Sequence, residues 1–182
     1  MILMAAYTGM RLAELPALQW SDVGSEYLHI HRQQIISEDP NGNREFLVVS
    51  YTKDERTHPH DGRYFPISDD IRKVLSFASE IPGDSDYVFH DPEKSGFILK
   101  DSYTLYLRRR CRRLGIKTTN NHAFRMSLNS RLLEAGLSSA DRALLLGHAV
   151  ETNERAYSHS DKRRLEKISA CLLLQQEKTR KL

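Results

Sequence analysis

Two arginines, two histidines, a lysine and a tyrosine are the residues of this chain whose types and spacing could do chemistry together. Arg11 lies in TGMRLAEL, residues 8–15, among Met10, Leu12 and Ala13, with Glu14 three residues on. An arginine among apolar neighbours is costly unless a carboxylate pairs with it. The two form either a local ion pair or an arginine held by Glu14 and aimed at a phosphate, a task suited to a planar fork of donors. In HAFR, His122 and Arg125 stand three apart on a predicted helix and so share a face. Leu128, Leu132 and Leu133 follow toward a core, which puts the pair at the exposed N-terminal end of a buried helix. Free N–H groups and the helix dipole favour anions there. The plain alternative is a capping histidine and a solvated arginine. His148 follows the apolar run ALLL and Gly147, and Tyr157 comes nine residues later in the polar segment ETNERAYSH. Lys53 falls in a hairpin between VVSYT and DERTH, where a solvated lysine is the ordinary expectation.

Taken singly, each residue has a bland explanation, but the set has one chemical use. Arginines bind the non-bridging oxygens of a phosphodiester and stabilise the added negative charge of a five-coordinate transition state. A tyrosine hydroxyl can attack phosphorus and become a covalent ester, while histidine or lysine moves the protons. Fixed cations then do the work of a metal ion. The sequence has no carboxylate cluster or Cys/His spacing of the metal-site kind, so neither metal nor other cofactor is expected.

These residues need elements to carry them. Apolar Ile2, Leu3, Ala6, Met10, Ala13 and Leu18 predict one helix over residues 2–19. YLHIHRQQII (27–36) and REFLVVSY (44–51) read as strands around the turn signal EDPNGN, and RYFPIS (63–68) as a third. Ser68 is the N-cap of a helix running to about Glu80. Further helices are expected over 101–114, 121–135 and 139–146, stopped by Gly115, Gly136 and Gly147. A helical turn over 151–158 and a final amphipathic helix over 161–178 complete the reading. The fold class is α+β, mainly α-helical, with a small three-stranded antiparallel sheet near the N-terminus.

The length of 182 residues suits one domain with a sizeable core. Net charge is only +3, but RRRCRR at 108–113 concentrates the basic character. Arg108, Arg109, Arg112 and Arg113, with Lys117 and Arg131 nearby, form a basic block whose plain reading is a solubilising charge. Cys111 and Cys171 are too few for a disulfide framework and read as reduced thiols in a cytoplasmic protein. No apolar run approaches the ~20 residues of a membrane span. The first helix begins in mid-pattern without an N-cap, so the chain is expected to be a fragment; a true start at Met1 is the alternative.

Three segments carry a family resemblance. YTGMRLAELPALQWSDV resembles the first arginine box of the tyrosine recombinases, of the phage and conjugative-transposon integrase kind. HAFRMSLNSRLLEAG resembles their His-x-x-Arg box, and LLLGHAVETNERAYSH their closing box. The spacings of 3, 23 and 9 residues between His122, Arg125, His148 and Tyr157 fit the family pattern. The resemblance implies an integrase-type catalytic domain over 1–182, with 161–182 as a tail helix and the family's core-binding domain absent from this chain. It implies that Arg11, Arg125 and His148 clamp the scissile phosphate and that Glu14 supports Arg11. His122 assists proton transfer, Lys53 is the general acid, and Tyr157 attacks to leave a 3′-phosphotyrosyl link. Strand exchange then needs neither ATP nor metal. The implied partner is double-stranded DNA, with Arg108, Arg109, Arg112, Arg113, Lys117 and Arg131 as candidates for contact with its backbone; it is bound by a homo-tetramer of a protein monomeric without DNA, with directionality or accessory proteins and no membrane. The implied setting is the cytoplasm of a prokaryotic cell, encoded by a phage or mobile element. Met126, Ala123 and Phe124 depart from the common histidine and Asp-Leu pair, and the connection after Lys53 is unusually long. A catalytically silent DNA-binding module and a DNA-relaxing enzyme are the competing readings.

Overall fold

The first helix is much shorter than its apolar pattern predicts. α1 spans Ile2–Thr8 and ends at Gly9, whose left-handed backbone (φ 62°, ψ 21°) returns its N–H to the Ala5 carbonyl. Thr8 reinforces the stop: its hydroxyl donates to the Met4 carbonyl at 2.6 Å and accepts from the Met10 N–H. A Cβ on Gly9 would lie 2.9 Å from Leu146 and 3.2 Å from Leu128, so close packing and a positive φ both select glycine. The predicted stripe is also displaced. Met4, Ala5 and Thr8 face the core, while Leu3 is 52% exposed. Arg11 therefore sits in a turn, not in a helix. Short 3₁₀ turns follow at Leu15–Ala17 and Trp20–Asp22.

The computed structural model describes residues 1–50, 62–93, 96–117 and 119–147. These belong to a unit that ends at Gly147. Lys53, His148, Tyr157, the turn expected over 151–158 and the helix expected over 161–178 lie outside the described residues.

The run expected as one strand over 27–36 is two: β1 (Tyr27–Ile30) and β2 (Gln33–Glu38). The break falls at His31 and Arg32, both drawn to the buried Asp22 carboxylate; His31 Nε2 lies 2.9 Å from its Oδ1. Beyond the break, buried Gln34 donates its N–H to the Ala13 carbonyl at 2.7 Å, and its side chain bonds Ile98 and Lys100 backbone. β2 pairs antiparallel with β3 (Arg44–Val49), whereas β4 (Arg63–Pro66) pairs with β1 in the register Leu28↔Phe65 and Ile30↔Arg63. A third ladder joins β5 (His90–Asp91) to β6 (Gly96–Phe97). The described strands thus make three two-stranded ladders, not the single three-stranded sheet the sequence suggests. The α+β class itself stands.

The remaining helices match expectation closely. α2 (Asp69–Ser79) is capped by Ser68, whose hydroxyl accepts from the Ile71 N–H. α3 (Lys100–Arg113) buries Tyr103, Leu107 and Cys111 at four-residue spacing. α4 (Asn121–Glu134) starts at the Asn120 cap, and α5 (Ser139–Leu146) runs from the Ser138 cap to Gly147. Met4, Met10, Leu15, Leu28, Ile30 and Leu146 fill the centre of the core.

Candidate active site

Glu14 is the hub. Its carboxylate is buried, yet every lone-pair direction meets a donor. Oε1 accepts from Arg11 NH1 at 2.9 Å and Arg63 NH1 at 2.9 Å. Oε2 accepts from the Arg11 backbone N–H at 2.7 Å and Arg63 NH2 at 2.7 Å. Burial alone would push this carboxyl up; the charge of Arg63, then that of Arg11, outweighs it and holds the group at about 2. The expected Arg11–Glu14 pair is present, and Arg63 is an unanticipated second partner. Its signal was in the sequence: two-residue alternation puts Arg63 on the same strand face as buried Phe65.

A second arginine approaches from α4. Arg125 donates to the Gly9 carbonyl at 2.9 Å and to the carbonyls of Leu146 and Gly147. Arg11 also donates to the Gly147 carbonyl, and Arg63 Nε to that of Leu145 at 3.1 Å. Three consecutive carbonyls at the end of α5 thus each meet an arginine, where the helix dipole favours positive charge. His148 is the next residue in the chain.

The expectation that His122 and Arg125 sit together at an exposed helix end is half right. His122 is exposed on the first turn of α4, but Arg125 is 2% exposed. The cause is tertiary: α4 packs on α1 and α5, and that contact covers the face one turn in. Asn121, also missed, fastens the start of α4 to the Arg11 turn. Its amide donates to the Met10 carbonyl at 2.8 Å and accepts from the Tyr103 hydroxyl at 3.1 Å. Burial pushes that phenol up to about 12, so it remains a donor. The backbone before Arg11 and the backbone before His122 are thereby joined by one amide side chain.

Arg108, Arg109, Arg110, Arg112, Arg113 and Lys117 are all exposed. Arg110 lies over the Tyr106 ring at 4.8 Å. Arg131 is exposed but donates to the Ala6 carbonyl at 3.0 Å. Cys111 is buried as a free thiol. No described helix is long and apolar enough to cross a membrane.

The sequence and the α+β scaffold have counterparts among known proteins. The sequence matches the Phage integrase family over residues 1–164, and the chain belongs to that family. It is 29% identical over 105 residues to a probable integrase/recombinase of Acholeplasma phage L2, covering 57% of this chain and 36% of that protein. It is 25% identical over 162 residues to the tyrosine recombinase XerD of Rickettsia bellii, covering 88% of this chain and 50% of that one. The chain thus spans half or less of the length of these curated relatives. The fold is also that of the Tn1549 transposon integrase solved with a circular intermediate DNA, at TM-score 0.70 and 16% identity over 92% of this chain and 57% of that one. The XerA recombinase superposes at TM-score 0.59 and 20% identity over 93% of this chain and 55% of that one.

Proposed function

We propose that this chain cleaves and rejoins DNA strands in site-specific recombination, through a covalent 3′-phosphotyrosyl intermediate and without a metal ion. The observation that carries the reading is the convergence of Arg11 and Arg125 on the last carbonyls of α5, with Glu14 holding Arg11. Two guanidinium groups from distant parts of the chain there flank the residue before His148. Such a pair can hold two non-bridging oxygens of one phosphodiester and stabilise the charge that builds as phosphorus becomes five-coordinate.

In this reading Tyr157 attacks phosphorus, and the bond to the 5′-oxygen breaks. Lys53 protonates that leaving oxygen, while His122 and His148 contact the phosphate and take part in proton transfer. Rejoining reverses the step with a new 5′-hydroxyl, so bond energy is conserved. The family membership, the spacing of the four residues and the DNA bound by the Tn1549 relative support it. DNA duplex is the substrate, and arginines of α3 supply contacts to its backbone. Four copies assemble on DNA, each lending residues 161–182 to a neighbour, and accessory proteins set direction. The work takes place in the cytoplasm of a cell carrying the mobile element.

A duplex nicked beside the cleavage site tests the reading, because the released end diffuses away. The wild-type protein forms an adduct that survives denaturation, and Tyr157→Phe forms none. Equal trapping by both would overturn the nucleophile. Deleting residues 165–182 abolishes DNA-dependent assembly; unchanged assembly would defeat the exchange of tails.

A further inference from the structure

We propose that Arg63 is a positioning residue for strand cleavage, locking the Arg11–Glu14 pair and the end of α5 into one frame. The inference rests on the strand-cleavage reading above. Arg63 lies far from both arginine boxes in sequence and is 7% exposed. It uses all three of its nitrogens. NH1 and NH2 grip the two oxygens of Glu14 at 2.9 and 2.7 Å, and Nε donates to the Leu145 carbonyl at 3.1 Å. The guanidinium plane therefore fixes a carboxylate and a helix end relative to each other. Glu14 passes the constraint to Arg11, through both its side chain and its backbone N–H. The Leu145 carbonyl passes it to the segment that leads, three residues on, to His148.

The strand is built to deliver this side chain. Gly62 takes φ 81°, and a Cβ there would lie 2.6 Å from the Ile30 carbonyl oxygen and 2.8 Å from the His31 Cα. Backbone passes backbone at that point, which sets β4 against β1 in the register Ile30↔Arg63. Strand register decides which face a side chain takes, and this register turns Arg63 inward.

Arg63 spends its charge on the Glu14 carboxylate, so its role lies in the frame and not in gripping substrate, whereas Arg125 donates to uncharged backbone carbonyls. Arg11, with 23% of its side chain exposed, is the arginine presented outward. A misplacement of about 1 Å in a catalytic group costs on the order of 10²-fold in rate, which is the effect expected of loosening this frame. A lysine at 63 keeps the charge but cannot reach both carboxylate oxygens and the carbonyl in one plane.

Single-turnover adduct formation on the nicked duplex reads the effect. Arg63→Lys lowers the rate on the order of 10²-fold while DNA affinity stays within twofold. Arg63→Gln adds a second signature. Among the described residues the charged groups facing Glu14 are Arg63 on β4 and Arg11 in its own turn. Without Arg63, burial carries the Glu14 carboxyl upward, and the rate relative to wild type falls further as pH drops from about 8 to about 5.5. The double variant Arg63→Gln with Glu14→Gln loses no more than the worse single variant, because one acts through the other. A rate for Arg63→Lys within twofold of wild type, a flat pH ratio for Arg63→Gln, or multiplying losses would overturn the proposal. The double variant lacks both buried charges and serves where a single substitution fails to fold; cleavage by it at the wild-type rate overturns the proposal too. No adduct with the wild-type protein defeats the cleavage reading and the proposal together. An adduct with wild type and an unimpaired Arg63→Lys defeats the proposal alone.

Discussion

Arg63 and Arg125 keep 7% and 2% of their surface exposed, whereas every arginine between positions 108 and 113 is exposed. The side chain is the same and the physics is opposite. At Arg63 and Arg125 the guanidinium has left water and donates instead to the Glu14 carboxylate or to backbone carbonyls. A buried charge without such partners would cost several kcal/mol. Along α3 the charges stay hydrated, screened by salt and separable from folding. The comparison teaches that the inner arginines are tied into the fold, so changing one costs stability, whereas the outer ones can be changed without unfolding it.

The sharpest way to break the contrast is to remove the hub. Glu14→Gln strips the counter-charge from two arginines and lowers stability by about 3–5 kcal/mol in urea unfolding. The pH dependence follows from the same group. Its folded pKa of about 2 lies below the ordinary value of 4.5. Its contribution is therefore complete above about pH 4.5 and is lost as pH falls toward about 2, a change of about 3 kcal/mol. The Gln variant lacks that acid slope.

Next in size is Arg125→Ala. Adduct formation falls about 10²–10³-fold, the scale of one transition-state donor, with folding followed in parallel by circular dichroism. Tyr103→Phe leaves the buried Asn121 oxygen without its donor and costs about 1–3 kcal/mol of stability, read from the melting transition.

The outer arginines give the smallest structural effect. Arg109→Ala and Arg113→Ala each change stability by no more than about 0.5 kcal/mol. DNA affinity falls for all sequences alike, and the slope of log affinity against log salt drops by about 1 per lost phosphate contact. A stability loss above about 2 kcal/mol from either substitution would erase the distinction between the two sets.

What the sequence disclosed follows the range of the physics involved. Ser68 caps α2, and Gly115, Gly136 and Gly147 follow the ends of α3, α4 and α5, so these helices were legible from local pattern. Family membership was legible too, because three segments resemble the family's boxes in residue types and spacing. The Arg11–Glu14 pair, three residues apart, fell within the same local reach.

Arg63, Asn121 and the burial of Arg125 were decided by tertiary structure. Each depends on partners between 18 and 116 residues away, such as Glu14 for Arg63, Tyr103 for Asn121 and Gly9 for Arg125. The early end of α1 belongs with them in part: the glycine stop is local, but the demand for no side chain at Gly9 comes from Leu128 and Leu146. Hydrophobic periodicity continues past that point and carries no record of a neighbour arriving from α4 or α5. The sequence by itself determined which chemical groups the chain carries and that His122 and Arg125 share one helix. Only packing determined which arginines lose their water, because desolvation is a property of what covers a side chain and not of what precedes it.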